Sequence, residues 1–262
     1  MAAACTLPLS FQLVGPRRSW WLLLVSLTYA VGSWWGDKLL WALGLPPYRT
    51  ANDLWAHGLL SIGRQELPAA PAVCLSLAAA YRYGWSRRLG LTGSRNFRTL
   101  AASALVSAGI SLVLDGVGLW PWRWKENPRS NLLFVGTLLT GHQWAGLGVW
   151  CVSLVVVLPV LEELVFRCAL LQLLLRSIGS VHWAVWLGAG IFAMAHLGPG
   201  AALSQPSLLN VFWAFWFGIA VGYATVRSSN RLSIAVGAHC GRAFIELLSL
   251  LVTAPRVKIT GA

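Results

Sequence analysis

The sequence predicts an all-α fold, a polytopic membrane bundle of about seven transmembrane helices, and three observations lead there. Of the 262 residues, 57% are hydrophobic and only 11% are charged, whereas a soluble domain carries about a quarter charged residues. The apolar residues gather into runs long enough for the ~20 helical residues that cross a hydrocarbon core. Tryptophans (Trp20, Trp21, Trp34, Trp35, Trp120, Trp122, Trp124) and arginines sit at the ends of those runs, where amphipathic rings and cations suit the headgroup layer. The same placement disposes of the nucleic-acid reading that a net charge of +12 would otherwise invite. Basic residues that follow run ends match the positive-inside bias and anionic lipid, not a continuous phosphate-binding face.

Taken in order, Arg17 and Arg18 precede the first apolar stretch, which continues past Trp35 without a cleavage site and is expected to be a span, not a secretory signal. It covers about 19–43, with Asp37 and Lys38 at its outer end. A second span is expected at 67–83, followed by the most basic loop, 82–98, which carries Arg82, Arg87, Arg88, Arg95 and Arg98. If that loop is cytoplasmic, so is the amino terminus. A third span, 100–120, has Asp115 near its end. These elements form a variable amino-terminal region, 1–131. In the remaining region, 132–262, the stretch 132–175 is more apolar than one span requires and is broken by Gly141, His142, Gln143 and Pro159. It predicts a short or re-entrant piece followed by a long helix ending near Arg176, or one helix kinked at Pro159. Further spans are expected at 181–197, 208–226 and 232–252. Gly218 and Gly222 have the spacing for close helix packing. The five cysteines are dispersed without a CxxC pair and read as inert thiols.

One stretch breaks the pattern. LPVLEELVFRCALLQLLLRS, 158–177, places Glu162, Glu163 and Arg167 in an apolar run. On a helix, Glu163 and Arg167 lie one turn apart and can pair. Glu162 points about 100° away and shares its face with Phe166, so it should face water or another polar group, because an ionised carboxylate in hydrocarbon costs several kcal/mol. Glu163 and Arg167 read as structural and Glu162 as functional. Two histidines lie in other apolar runs: His196 ends IFAMAH, with Phe192 one turn before it, and His239 sits in AVGAHCGRAF. A carboxylate and an imidazole sharing a water make a general base, and a second imidazole can donate to an oxyanion. That equipment suits amide hydrolysis. His57, His142 and His182 are weaker candidates, placed in a loop, beside Gln143 and at a helix start.

EELVFR, FAMAH and the later GAH, in that order on successive apolar helices across 144–250, resemble the motifs of the CAAX prenyl protease type 2 family of intramembrane proteases, also called CPBP or Abi. The resemblance implies an integral-membrane endopeptidase core in which Glu162 and His196 activate water and His239 helps hold the oxyanion. Glu163 and Arg167, with Phe192, brace that site. One position departs from the pattern: where the family often has Asn one turn after the third-motif His, this chain has Ala243. Either Arg242 or Asn210 substitutes, or the enzyme is slow, or the scaffold persists without chemistry as an immunity-type protein. Arg242 is also placed to pair with Glu246 one turn on. Chemistry without a cofactor is favoured; zinc on Glu162, His196 and His239 is the alternative, although HExxH is absent. A proton-relay transporter would need more polar residues across the bilayer. The expected partners are the lipid bilayer and a peptide or membrane-protein substrate, prenylated or not. The expected location is a bacterial inner membrane, with a photosynthetic membrane as the alternative.

Overall fold

The computed structural model describes residues 74, 94–116, 135–136, 138–139, 141, 144–196, 205–229 and 231–253. The regular structure among these residues is helical throughout. In chain order the helices are α1 (Ser94–Gly116), α2 (Trp144–Ile178), α3 (Val181–Ala195), α4 (Gln205–Arg227) and α5 (Leu232–Thr253). Four of them are long and apolar enough to cross a membrane, and α3 is a shorter apolar helix. The expected spans at 19–43 and 67–83 lie outside the described residues apart from Cys74, which is helical. Residues 82–93 of the basic loop, Asp37, Lys38, His57, His142, Gln143 and the Asp115 side chain lie outside them as well, whereas residues 94–98, expected in that loop, open α1 as helix. The described helices, several of them long and apolar enough to span a bilayer, fit a multi-pass membrane protein, and the count of seven rests on the sequence.

The stretch around Pro159 settles as one helix. α2 is 35 residues long, about 50 Å at the α-helical rise, and so exceeds the roughly 30 Å hydrocarbon core. It stays continuous by widening twice into π geometry, at Ser153–Val157 and at Leu164–Leu170. Pro159 falls directly after the first widened stretch, at the start of the α-helical piece between them, Leu158–Glu163, and the helix passes it without a break. Gly179 ends α2 with a left-handed φ of 71°, a conformation that glycine adopts without strain. The Ser180 side chain then accepts from the Trp183 N–H at 3.5 Å and starts α3.

Two glycine seams set how closely the helices approach. At Gly218 and Gly222 of α4, an added Cβ would stand 3.0 Å from the Ala189 Cβ and 2.9 Å from a Val185 methyl of α3, as the GxxxG spacing predicts. The second seam was not anticipated. On α5, a Cβ at Gly237 would overlap Ser103 Oγ and the Leu100 carbonyl, and one at Gly241 would overlap the Ala104 carbonyl of α1. Helix α1 itself exposes Leu105, Val106, Ile110, Leu112 and Val113, the surface a lipid-facing helix presents. α1 also begins six residues earlier than the apolar run from 100, because helical hydrogen bonding continues through polar flanks that need not enter hydrocarbon.

The best-buried cluster joins α2, α3, α4 and α5 around Phe166, Leu170, Phe192, Ala214, Val221 and Val236. A second joins the amino-terminal part of α2 to the far end of α5 through Leu147, Trp150, Leu247 and Leu250, with Val135 and Leu138 beside them. The charged residues of 162–167 lie against the first cluster.

Candidate active site

Glu162 and Glu163 end the middle α-helical piece of α2, and Arg167 lies in the π segment that follows. The Arg167 Nε stands 3.2 Å from Glu163 Oε2, with both side chains almost fully buried. Glu163 Oε1 accepts from His239 Nδ1 of α5 at 2.9 Å. Because a carboxylate only accepts, Nδ1 carries the proton, and the ring is fixed in orientation. Its other nitrogen, Nε2, stands 3.7 Å from Glu162 Oε2. That gap is too long for a direct hydrogen bond and short enough for one water to bond both atoms.

Glu162 and Glu163 stand about 100° apart around α2, and both carboxylates converge on His239. The imidazole sits between them and offers each a different nitrogen, and the helix widens at the next residue, Leu164. π segments within α-helices often accompany functional sites. The two acids nevertheless keep distinct settings. Glu163 has 0% of its side chain exposed and Glu162 has 20%, although the Glu162 Oε2 that faces His239 is itself buried.

Phe192 is the hub of the second layer. Its ring, fully buried, packs edge-on to Phe166 at 5.0 Å, lies 4.4 Å from the His196 ring and 6.1 Å from the His239 ring, and carries the Arg167 guanidinium carbon 4.8 Å above its centroid. A cation over an aromatic face is favourable, more so when desolvated. His196 caps the carboxy-terminal end of α3, and its Nδ1–H donates to the Phe192 carbonyl at 2.9 Å, which makes Nε2 the acceptor nitrogen of that ring. Asn210 of α4 donates its side-chain amide to the His196 carbonyl at 3.1 Å. His196 thus belongs to the same cluster as His239 through the Phe192 ring.

Phe217 is a contact that residue order does not announce. Its ring lies 5.2 Å from His239, and the Arg242 guanidinium carbon stands 5.1 Å over it. One aromatic residue within FWFG carries no distinguishing mark. Arg242 shares the His239 face, because residues three apart on a helix are neighbours. Ala243 is buried one turn beyond His239. His182, at the start of α3 as expected, meets Tyr223 through its Nδ1 at 2.6 Å, away from this cluster. The thiols of Cys74, Cys151, Cys168 and Cys240 are unpaired. Among the described residues, no group of three or more His, Cys, Asp or Glu side chains is arranged to hold a metal ion.

No curated protein and no solved structure matches the chain. A family model does, and the stretch it matches contains all the site residues just described. Residues 143–245 match the type II CAAX prenyl endopeptidase family, Rce1-like, in agreement with the CAAX protease type 2 family that the three motifs resemble.

Proposed function

We propose that this protein is an integral-membrane endopeptidase that hydrolyses a peptide bond with a water activated by Glu162. The observation that carries the reading is His239 clasped between two carboxylates, one sealed and ion-paired and the other partly exposed. Glu163 does for His239 what the buried acid of a catalytic triad does for its histidine: it fixes the tautomer and stabilises positive charge when that forms. The Nε2 edge is thereby aimed at the place where Glu162 would hold water. Glu162 takes a proton from that water while the oxygen attacks the substrate carbonyl. It later returns the proton to the leaving nitrogen, as one positioned acid–base group can. His196, pinned at Nδ1, assists from across the Phe192 ring, and Glu163 and Arg167 brace the site. The membrane setting confines the substrate to peptides or membrane proteins that present a bond near these helices; prenylated CAAX tails are the substrate class that the family's name suggests.

The test compares membranes with and without the protein for new carboxy termini. Glu162→Gln is expected to lower their formation by about a hundredfold to ten-thousandfold, the usual worth of acid–base catalysis. Glu162→Gln matching the wild type in this assay would leave a scaffold or immunity role as the better reading. Exhaustive chelation is expected to leave activity intact; its loss, restored by zinc, would shift Glu162, His196 and His239 to ligand roles.

A further inference from the structure

The charges on the sealed side of the site cancel. Glu163 and Arg167 stand 3.2 Å apart and buried, which leaves the Glu162 carboxylate to be balanced by something else. Arg242 is the side chain in place to do it. It lies on α5 three residues after His239, on the same face, and is partly exposed, whereas Arg167 is buried. Phe217 touches both: its ring is 5.2 Å from the His239 ring and 5.1 Å from the Arg242 guanidinium carbon. Arg242 is within electrostatic reach of both Glu162 and Glu163. One turn beyond His239, the buried side chain of Ala243 offers only a methyl group.

We propose that Arg242 is the catalytic cation that holds the negative charge developing on the substrate's carbonyl oxygen, with Phe217 as the shelf that fixes its guanidinium. The proposal rests on Glu162 acting as the base. In the first step, water gives a proton to Glu162, the water oxygen bonds to the carbonyl carbon, and the π pair of the C=O moves onto its oxygen. One negative charge thereby leaves the carboxylate and reappears on the tetrahedral centre beside it. A cation within electrostatic reach of Glu162 serves the charge in both positions, with little reorganisation in a low-dielectric site. In the second step, the oxyanion reforms C=O, the C–N bond breaks, and the proton on Glu162 passes to the departing nitrogen. Arginine suits the task because its planar fork can lie flat on an aromatic ring while its edge donates to oxygen.

The experiment follows new carboxy termini over time in membranes containing wild type, Arg242→Gln, Arg242→Lys, Arg242→Ala or Glu162→Gln, and records the thermal unfolding of each purified protein in detergent. Arg242→Gln is expected to slow the appearance of termini by about a hundredfold or more, the usual cost of one oxyanion donor, with unfolding unchanged. Arg242→Lys recovers part of the rate. Added guanidinium chloride, at concentrations that do not unfold the protein, restores part of the rate of Arg242→Ala, which a purely structural role would not permit. The inference is overturned if Arg242→Gln makes termini at the wild-type rate while Glu162→Gln makes none, or if rate and stability fall together with rescue by neither lysine nor guanidinium. Termini that appear equally with Glu162→Gln, or fail to appear with the wild type, overturn the underlying reading instead.

Discussion

The two halves of the polar cluster are built from the same residue types and to opposite purposes. On the inner half, Glu163, Arg167 and the Nδ1 side of His239 are buried and held by an ion pair, a hydrogen bond and a cation resting on Phe192. On the outer half, Glu162 is partly exposed, faces Nε2 across 3.7 Å, and shares its surroundings with the partly exposed Arg242. Adjacent residues of one helix thus occupy a sealed environment and an open one. On the proposed reading, one carboxylate and one cation serve rigid alignment, and a second of each stays partly exposed.

Perturbing the inner half should affect stability before anything else. Arg167→Met leaves the buried Glu163 without its cation and is expected to destabilise the protein by about 3–5 kcal/mol, the usual cost of breaking a buried pair from one side. The double variant Glu163→Gln/Arg167→Met should recover part of that loss in detergent unfolding. If Arg167→Met unfolds like the wild type, the sealed half has been misassigned. The seam behind His239 comes next. Gly241→Ala forces α5 away from the Ala104 carbonyl and should cost about 1–3 kcal/mol, as overpacking does, with turnover falling because His239 moves with the helix. Gly190→Ala, with open space at its Cβ position, is the control and should be tolerated. The smallest effect belongs to Phe192→Leu, which forfeits the edge-on contact with Phe166 and the seat for Arg167. It is expected to cost about 0.5–1.5 kcal/mol for the aromatic pair and to show up more in turnover than in unfolding.

Much of this arrangement could be read from residue order, for identifiable reasons. Apolar runs mark spans because every backbone group in lipid must be satisfied within its own helix, and the ends of α3, α4 and α5 fall within three residues of the runs that announce them. Charges in LEELVFR were conspicuous against that background, and the pairing of Glu163 with Arg167 follows from spacing alone. What could not be read depends on contacts between helices. Pro159 looked like a break because nothing in the sequence announces π widening on both sides of it. Convergence of both acids on one imidazole required knowing where α5 stands. Ser233, Gly237 and Gly241 do form a small-residue stripe at four-residue spacing, a signal of close packing that could have located the α1–α5 seam. Phe217 left no such trace.

The division of labour between the neighbouring acids is tested most directly by measuring unfolding temperature and turnover together for Glu162→Gln and Glu163→Gln in one detergent. The account predicts that Glu162→Gln keeps the wild-type unfolding temperature and loses turnover, whereas Glu163→Gln unfolds at a clearly lower temperature. Equal losses of stability in both variants, or undiminished turnover in Glu162→Gln, would contradict it.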